Sequence, residues 1–181
     1  LDLSSGWDNK NQNHAFVKDA KGYFNKTEFT VLLYVNRSGA PGASEVNDKS
    51  VAMTIGSGEN ALRLLTLSDK FGYGGDNGGV SNHFISLEGI EGSGWNSVAM
   101  TYQEKDGQNG SVVIYANGQK VGEVADVGFK LSQMENPEAV LGRSFNTNYM
   151  LTGRYDNIVV LGSSLDETTA CAETAWRRWR K

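Results

Sequence analysis

Residues 73–79 read Y-G-G-D-N-G-G, and His83 follows close behind. The run sets a planar aromatic, Tyr73, beside a short carboxylate and a short amide, Asp76 and Asn77. Sugar binding uses that set: an aromatic face takes the C–H side of the ring, and short amides and carboxylates make planar hydrogen-bond arrays with its hydroxyls. The glycines would let the backbone approach such a ligand closely. The competing account is a solvated loop whose Asp and Asn serve the turns. A second cluster holds Arg143, Phe145, Asn146, Asn148 and Tyr149, between two late strands. Arg143 could pair with the carboxylate of a sialylated or uronic sugar, or satisfy a sheet edge. Rim loops of a sandwich converge from different strands, so the two clusters could meet. Trp7 among Asn9, Asn11 and Asn13 is either an exposed platform or a staple holding the N-terminal strand to the core.

Other chemistries find little support. His14 and His83 are far apart and no His-X-His occurs, so a transition-metal site is not expected. Cys171 stands alone beside alanines, which excludes an internal disulfide framework and suggests a buried, inert thiol. The mild net charge of −4 argues against a general nucleic-acid surface, despite the basic run Arg177-Arg178-Trp179-Arg180-Lys181. No stretch approaches the ~20 apolar residues that span a bilayer, so no membrane insertion is expected. Asn25-Lys26-Thr27, Asn36-Arg37-Ser38 and Asn109-Gly110-Ser111 match the N-glycosylation pattern, which arises easily in Asn-rich chains.

The elements that must position these residues read as short strands. The 181 residues suit one domain over 1–181, and the opening Leu-Asp-Leu suggests excision from a larger chain. There are 22 glycines against 2 prolines, the usage of a chain with many tight turns. Glu28–Val35, Val51–Ile55, Leu62–Leu67, His83–Leu87, Ser97–Tyr102, Ser111–Ala116, Gln119–Val124, Val140–Ser144 and Gly153–Leu161 read as strands. Leu1–Ser4, His14–Val17 and Phe129–Leu131 are shorter candidates. Asn117-Gly118 is the strongest hairpin signal, because both turn positions tolerate positive φ. Residues 36–50 and 68–82 read as loops. Leu165–Lys181 reads as a terminal helix capped by Ser164, Asp166 or Thr168, its apolar positions spaced to lie on a sheet. Ten to twelve strands at this spacing predict an all-β sandwich or jelly roll.

The later half carries a resemblance. A tryptophan opens a central strand, Trp95-Asn96-Ser97-Val98-Ala99-Met100-Thr101-Tyr102. A strand–Asn-Gly–strand hairpin follows over Val112–Val121, then Leu141-Gly142-Arg143-Ser144. The close is Gly153-Arg154-Tyr155-Asp156-Asn157-Ile158-Val159-Val160, then Ser164-Leu165-Asp166. This order resembles the laminin-G-like branch of the concanavalin A-like lectin/glucanase superfamily. The resemblance implies a jelly-roll sandwich of two antiparallel sheets, six or seven strands each, with Trp95 mostly structural at the start of a core strand. It also implies one structural calcium ion, with Asp48, Asp76, Asp126 and Asp156 as candidate ligands, and no other cofactor. Its catalytic relatives, the β-glucanases, carry Glu-X-Asp-X-X-Glu on one strand, and the sialidase catalytic fold would need an arginine triad with Asp-box repeats. This chain has neither pattern.

The expectation is therefore a non-catalytic carbohydrate-binding module, secreted or at the cell surface and bacterial in type, with Tyr73, Asp76, Asn77, His83, Arg143, Asn146 and Tyr149 as its ligand residues. The alternative is an adhesion or structural domain that binds a protein partner or packs on a neighbouring catalytic domain. An enzyme ranks third. Fold alone does not choose among them.

Overall fold

The computed structural model describes residues 1, 14–37, 49–58, 60–67, 70–77, 80–81, 94–142, 145 and 153–178, with the backbone course alone for 37, 49–50, 65–67, 70–77, 80–81 and 176–178. In chain order the elements are β1 (Ala15–Phe16), α1 (Ala20–Phe24), β2 (Glu28–Arg37), β3 (Lys49–Ser57), β4 (Asn60–Leu67), β5 (Lys70–Asn77), β6 (Val80–Ser81), β7 (Gly94–Glu104), β8 (Gly110–Ala116), β9 (Gln119–Val124), a 3-10 turn (Leu131–Gln133), β10 (Glu138–Leu141), β11 (Gly153–Leu161) and α2 (Glu167–Arg178). They form two antiparallel sheets: a six-stranded one in the order β1-β10-β3-β4-β5-β6, and a five-stranded one in the order β11-β2-β7-β8-β9. The expected jelly-roll sandwich with a C-terminal helix is what the chain adopts. The described residues give the second sheet five strands rather than six or seven.

Alternation along the strands divides the core. Phe29, Val31, Leu33 and Val35 of β2 join Val98, Met100 and Tyr102 of β7 and Met53, Ile55, Leu62 and Leu64 of the other sheet in one apolar cluster. The residues between them, Leu32 and Ala99, face outward with Tyr115 and meet Ala170 of α2 in a second cluster. β2 and β7 are thus buried on both faces, which is why E-F-T-V-L-L-Y-V is nearly continuously apolar rather than alternating.

The β8–β9 hairpin turns on Asn117 (φ 49°) and Gly118 (φ 90°), the two positive-φ positions that an Asn-Gly turn provides. That turn also seats α2. The Gly118 amide donates to Thr174 Oγ1 at 2.9 Å, and a Cβ on Gly118 would come within 2.9 Å of the Ala175 methyl. At the other end of α2, Asp166 Oδ1 accepts from the Thr169 amide (2.9 Å) and Oδ2 accepts from its hydroxyl (3.0 Å). This is the expected cap, and these hydrogen bonds, led by the backbone one, hold the Asp166 carboxyl below its ordinary 3.8. A depressed carboxylate stabilises the fold above its unfolded pKa and loses that contribution as pH falls through the folded value. Asp166→Ala is therefore expected to lower the melting temperature at pH 7, by a difference that shrinks between about pH 5 and pH 3; thermal scans of both proteins across that range check it.

Three local expectations are corrected. Residues 70–77 form a strand, not a loop, because β4 templates them in continuous register from Ala61↔Asp76 to Leu67↔Lys70 despite the glycines. Phe129–Leu131 is not a strand: the backbone carbonyls of Leu131, Ser132 and Met134 accept from the Asn25 amide, so the segment turns at Leu131–Gln133 instead of joining a ladder. Ala20–Phe24 is a short helix that the spacing did not mark, burying Ala20 and Phe24 one turn apart. The expected strands at Leu1–Ser4 and His83–Leu87, and Trp7, fall on or run into undescribed residues. Leu1 itself exchanges two backbone hydrogen bonds with Tyr155 of β11.

Candidate functional site

An open cleft of about 410 Å³ lies at one end of the sandwich, lined by Asn60, Asn109, Gly128, Phe129, Lys130, Gln133 and Met134. Its walls come from both sheets. Asn60 begins β4 after the β3–β4 turn, and Asn109 ends the β7–β8 loop. The floor is the segment 127–134, which backbone hydrogen bonds of Val127 and Phe129 to Gly110 and several side chains hold in place. The Tyr102 hydroxyl donates to Glu104 Oε1 (2.8 Å) and accepts from the Leu131 amide (2.9 Å). Glu104 in turn accepts from the Ser132 amide and hydroxyl. Asp126 Oδ1 takes hydrogen bonds from Asn109 Nδ2 (3.1 Å) and the Gly128 amide (2.7 Å), fixing the loop carrying one wall to the turn carrying the floor. Three carboxamides and one ammonium thus surround a volume within the range of small-ligand sites. Phe129 is buried, so the cleft offers hydrogen-bonding groups rather than an open ring face.

The sequence-expected residues divide. Asp76 pairs with Ala61, the neighbour of Asn60, so the β5 end bearing Asp76 and Asn77 reaches the same end of the sandwich as the cleft. Tyr73 pairs with Leu64, farther along the strand. His83, Arg143, Asn146 and Tyr149 lie outside the described residues. The chain enters residues 143–150 from Gly142, next to Leu141, which pairs with Met53; the cleft end of β10 is Glu138, paired with Gly56. The two clusters therefore start from opposite ends of the six-stranded sheet. Sequence reasoning missed Asn60, Asn109, Lys130 and Gln133. The only signals were the turn glycines Gly56 and Gly58 before Asn60, and the Asn109-Gly110-Ser111 triplet, which reads as a glycosylation pattern.

Trp95 stands at the start of β7, the core strand on which the resemblance puts it. It is half-buried and outside both apolar clusters. Its ring stacks on Tyr34, with centroids 4.8 Å apart and planes at 15°, on the outer face of the five-stranded sheet. Cys171 is half-buried on α2; burial, then the Glu167 carboxylate, pushes its thiol up, which disfavours the reactive thiolate. Among the described residues no group of three or more His, Cys, Asp or Glu could hold a metal ion. Asp126 lies past β9, near Asn109, whereas Asp156 pairs with Tyr34 at the far edge of the same sheet, so these two candidate calcium ligands do not converge. The side chains of Asp48 and Asp76 lie outside the described residues. No described helix is long and apolar enough to cross a membrane.

A family model described as the concanavalin A-like lectin/glucanases superfamily, Laminin_G_3, matches residues 9–171. No curated protein matches the chain in sequence. Among solved structures, the native heptameric SAP-like pentraxin of Limulus polyphemus superposes with a TM-score of 0.64 at 17% identity, over 92% of this chain and 77% of that one. Domain 4 of AbnA, a GH43 extracellular arabinanase of Geobacillus stearothermophilus, in complex with arabinotriose, gives 0.62 at 15% identity, over 90% and 73%. The LG4-5 segment of the mouse laminin alpha1 chain gives 0.54 at 16% identity, over 78% of this chain and 37% of that one. At these identities the likeness is one of fold.

Proposed function

The chain belongs to the laminin-G-like branch of the concanavalin A-like lectin/glucanases superfamily, and from that premise we propose that it is a non-catalytic carbohydrate-binding module of a secreted or cell-surface protein. The observation that carries this reading is the open rim cleft, in which Asn60, Asn109 and Gln133 present carboxamides and Lys130 an ammonium. Carboxamides hydrogen-bond as donor and acceptor at once, which suits vicinal hydroxyls. The arabinanase domain that shares the fold was solved with arabinotriose, which supports an oligosaccharide as the ligand class. Its extracellular parent supports secretion. Asp76 and Asn77 at the same end, with Tyr73, His83, Arg143, Asn146 and Tyr149, remain the proposed contacts of the flanking chain.

The protein-binding alternative draws on Phe16 and Tyr23, large apolar residues 59% and 48% exposed on β1 and α1. Isolated exposed rings are common, and the cleft favours the sugar.

A glycan array followed by titration, run with calcium and with EDTA, tests the reading. The double variant Asn109→Ala/Gln133→Ala is expected to weaken the best ligand about tenfold, two hydrogen-bonding side chains' worth. A ligand lost only in EDTA would add the calcium ion. No ligand under either condition, with the fold intact, would move the function to protein binding, and turnover of a polysaccharide would make the chain an enzyme.

A further inference from the structure

The polar groups of the rim cleft differ in what they still have to offer. Asn109 Nδ2 donates to Asp126 Oδ1 at 3.1 Å. A carboxylate only accepts, so the nitrogen of that carboxamide must face Asp126, and its carbonyl oxygen is the atom left for a ligand. On the floor, the backbone amide of Gln133 donates to the Lys130 carbonyl (3.4 Å), closing the 3-10 turn Leu131–Gln133 that Lys130 caps. Side chains three residues apart across such a turn lie on one side, and both of these line the cleft. The Lys130 ammonium and the Gln133 carboxamide thus stand together as donors on the floor, with the Asn109 oxygen as an acceptor on the wall.

Both donors are uncommitted. Among the described residues Lys130 has no ion pair, and neither its ammonium nor the Gln133 carboxamide has a hydrogen-bond partner. Gln133 is exposed and Lys130 half-buried, so the pair is open to solvent. The carboxylates that brace the cleft are engaged with its frame instead. Glu104 accepts from the Tyr102 hydroxyl and from the amide and hydroxyl of Ser132, and Asp126 Oδ1 accepts from Asn109 and the Gly128 amide. Lys130 therefore brings a positive charge without a counter-charge, and a charge-assisted hydrogen bond to an anion is about twice as strong as a neutral one. An ammonium beside a carboxamide N–H group matches the two oxygens of one carboxylate. The surroundings suit one such group and not a row of them. Asp126 and Glu135, exposed immediately before and after the floor segment, would repel carboxylates repeated along a polymer.

We infer that the cleft selects a sugar bearing a single carboxylate, a uronic or ulosonic acid in an otherwise neutral glycan. The carboxylate sits on Lys130 and Gln133, and a ring hydroxyl donates to Asn109 Oδ1. The inference rests on the sugar-binding reading of this cleft and adds which sugar it prefers. The ion pair is direct, from side chain to carboxylate, so a chelator of divalent ions leaves it intact.

Calorimetric titration of the whole chain, with calcium and with EDTA, tests this. The probes are oligosaccharides ending in one glucuronic, galacturonic or N-acetylneuraminic acid, each beside its carboxyl-reduced counterpart. A sulfate ester of the same neutral sugars and a polygalacturonate are further arms. The best acidic probe is expected to bind about tenfold tighter than its reduced counterpart, one charge-assisted hydrogen bond's worth, in EDTA as in calcium. Lys130→Gln should bring that ratio to about one, and Lys130→Arg should keep most of it, with melting temperatures confirming that both variants fold. Equal binding of acidic and reduced probes would overturn the carboxylate and leave the sugar reading standing. So would a preference that survives Lys130→Gln, a preference lost in EDTA, or a response to the sulfate ester or the polygalacturonate alone. Binding of no probe, acidic or neutral, would overturn this inference together with the reading it rests on.

Discussion

Replacing Tyr155 by alanine is expected to destabilise the protein by about 4 kcal/mol, the middle of the range for removing a fully buried aromatic. Tyr155 is 2% exposed and belongs to the main apolar cluster, although its strand, β11, is an edge of the five-stranded sheet. Its hydroxyl crosses the core and donates to the Ala52 carbonyl of β3, in the opposite sheet, at 3.0 Å. Alanine would leave a ring-sized hole and remove one of two hydrogen bonds that the Ala52 carbonyl accepts, the Gly142 amide (3.0 Å) keeping the other. Tyr155→Phe keeps the ring and removes only this donor, while the Ala52 carbonyl keeps its bond from the Gly142 amide, so it should cost about 1 kcal/mol. The hydroxyl also predicts an alkaline signature. Burial raises the phenol's pKa well above its ordinary 10.0. The folded state therefore holds a proton that the unfolded state releases as pH rises through that ordinary value, and stability falls from there upward. Urea titrations of the three proteins at pH 7 and near pH 10.5 read all of this. A Phe variant as stable as the parent, with the same alkaline loss, would show that the hydroxyl does not tie the sheets together.

Tyr155 also shows which parts of the fold the sequence carries. Its strand is marked by Gly153-Arg154-Tyr155-Asp156, and β2, β7 and the Asn117-Gly118 hairpin are equally legible, because apolar runs and turn residues report local conformation directly. In sequence β5 reads as a loop, because five glycines between residues 68 and 82 weaken any local preference. What makes 70–77 a strand is β4 beside it, a partner the local pattern does not mention. The cleft is illegible for a related reason. Asn60, Asn109 and Gln133 are ordinary turn amides in sequence, and only closure of the sandwich brings them to one rim. The resemblance makes Trp95 structural at the start of a core strand; period-two alternation adds that it lies on the face opposite Val98 and Met100, where its ring stacks on Tyr34.

Gly110→Ala is expected to cost about 3 kcal/mol, the top of the usual range for overpacking, although the change adds one methyl group at the start of β8. A Cβ at Gly110 would overlap the edge and hydroxyl of the Tyr102 ring. The ring has little room to give: it stacks on Phe29 with centroids 5.1 Å apart, and its hydroxyl is held between Glu104 and the Leu131 amide. The backbone cannot withdraw cheaply either, because the Gly110 amide donates to the Phe129 carbonyl (2.9 Å) and its own carbonyl accepts from Val127 (2.8 Å). Whichever side yields, the 127–134 segment loses an anchor, and that segment is the floor of the rim cleft. Stability and ligand affinity should therefore fall together in Gly110→Ala, as read by urea midpoint and by titration of whichever glycan binds the parent. Adding Tyr102→Leu to Gly110→Ala shortens the obstructing side chain, so the double variant should be less destabilised than the sum of its single changes, by about 1 kcal/mol or more of coupling. Additive losses would mean that Gly110 is required by its backbone alone and that Tyr102 does not press on it. A stable Gly110→Ala with unchanged affinity would separate the cleft from this contact altogether, leaving Asn25 and Glu104 as what holds its floor.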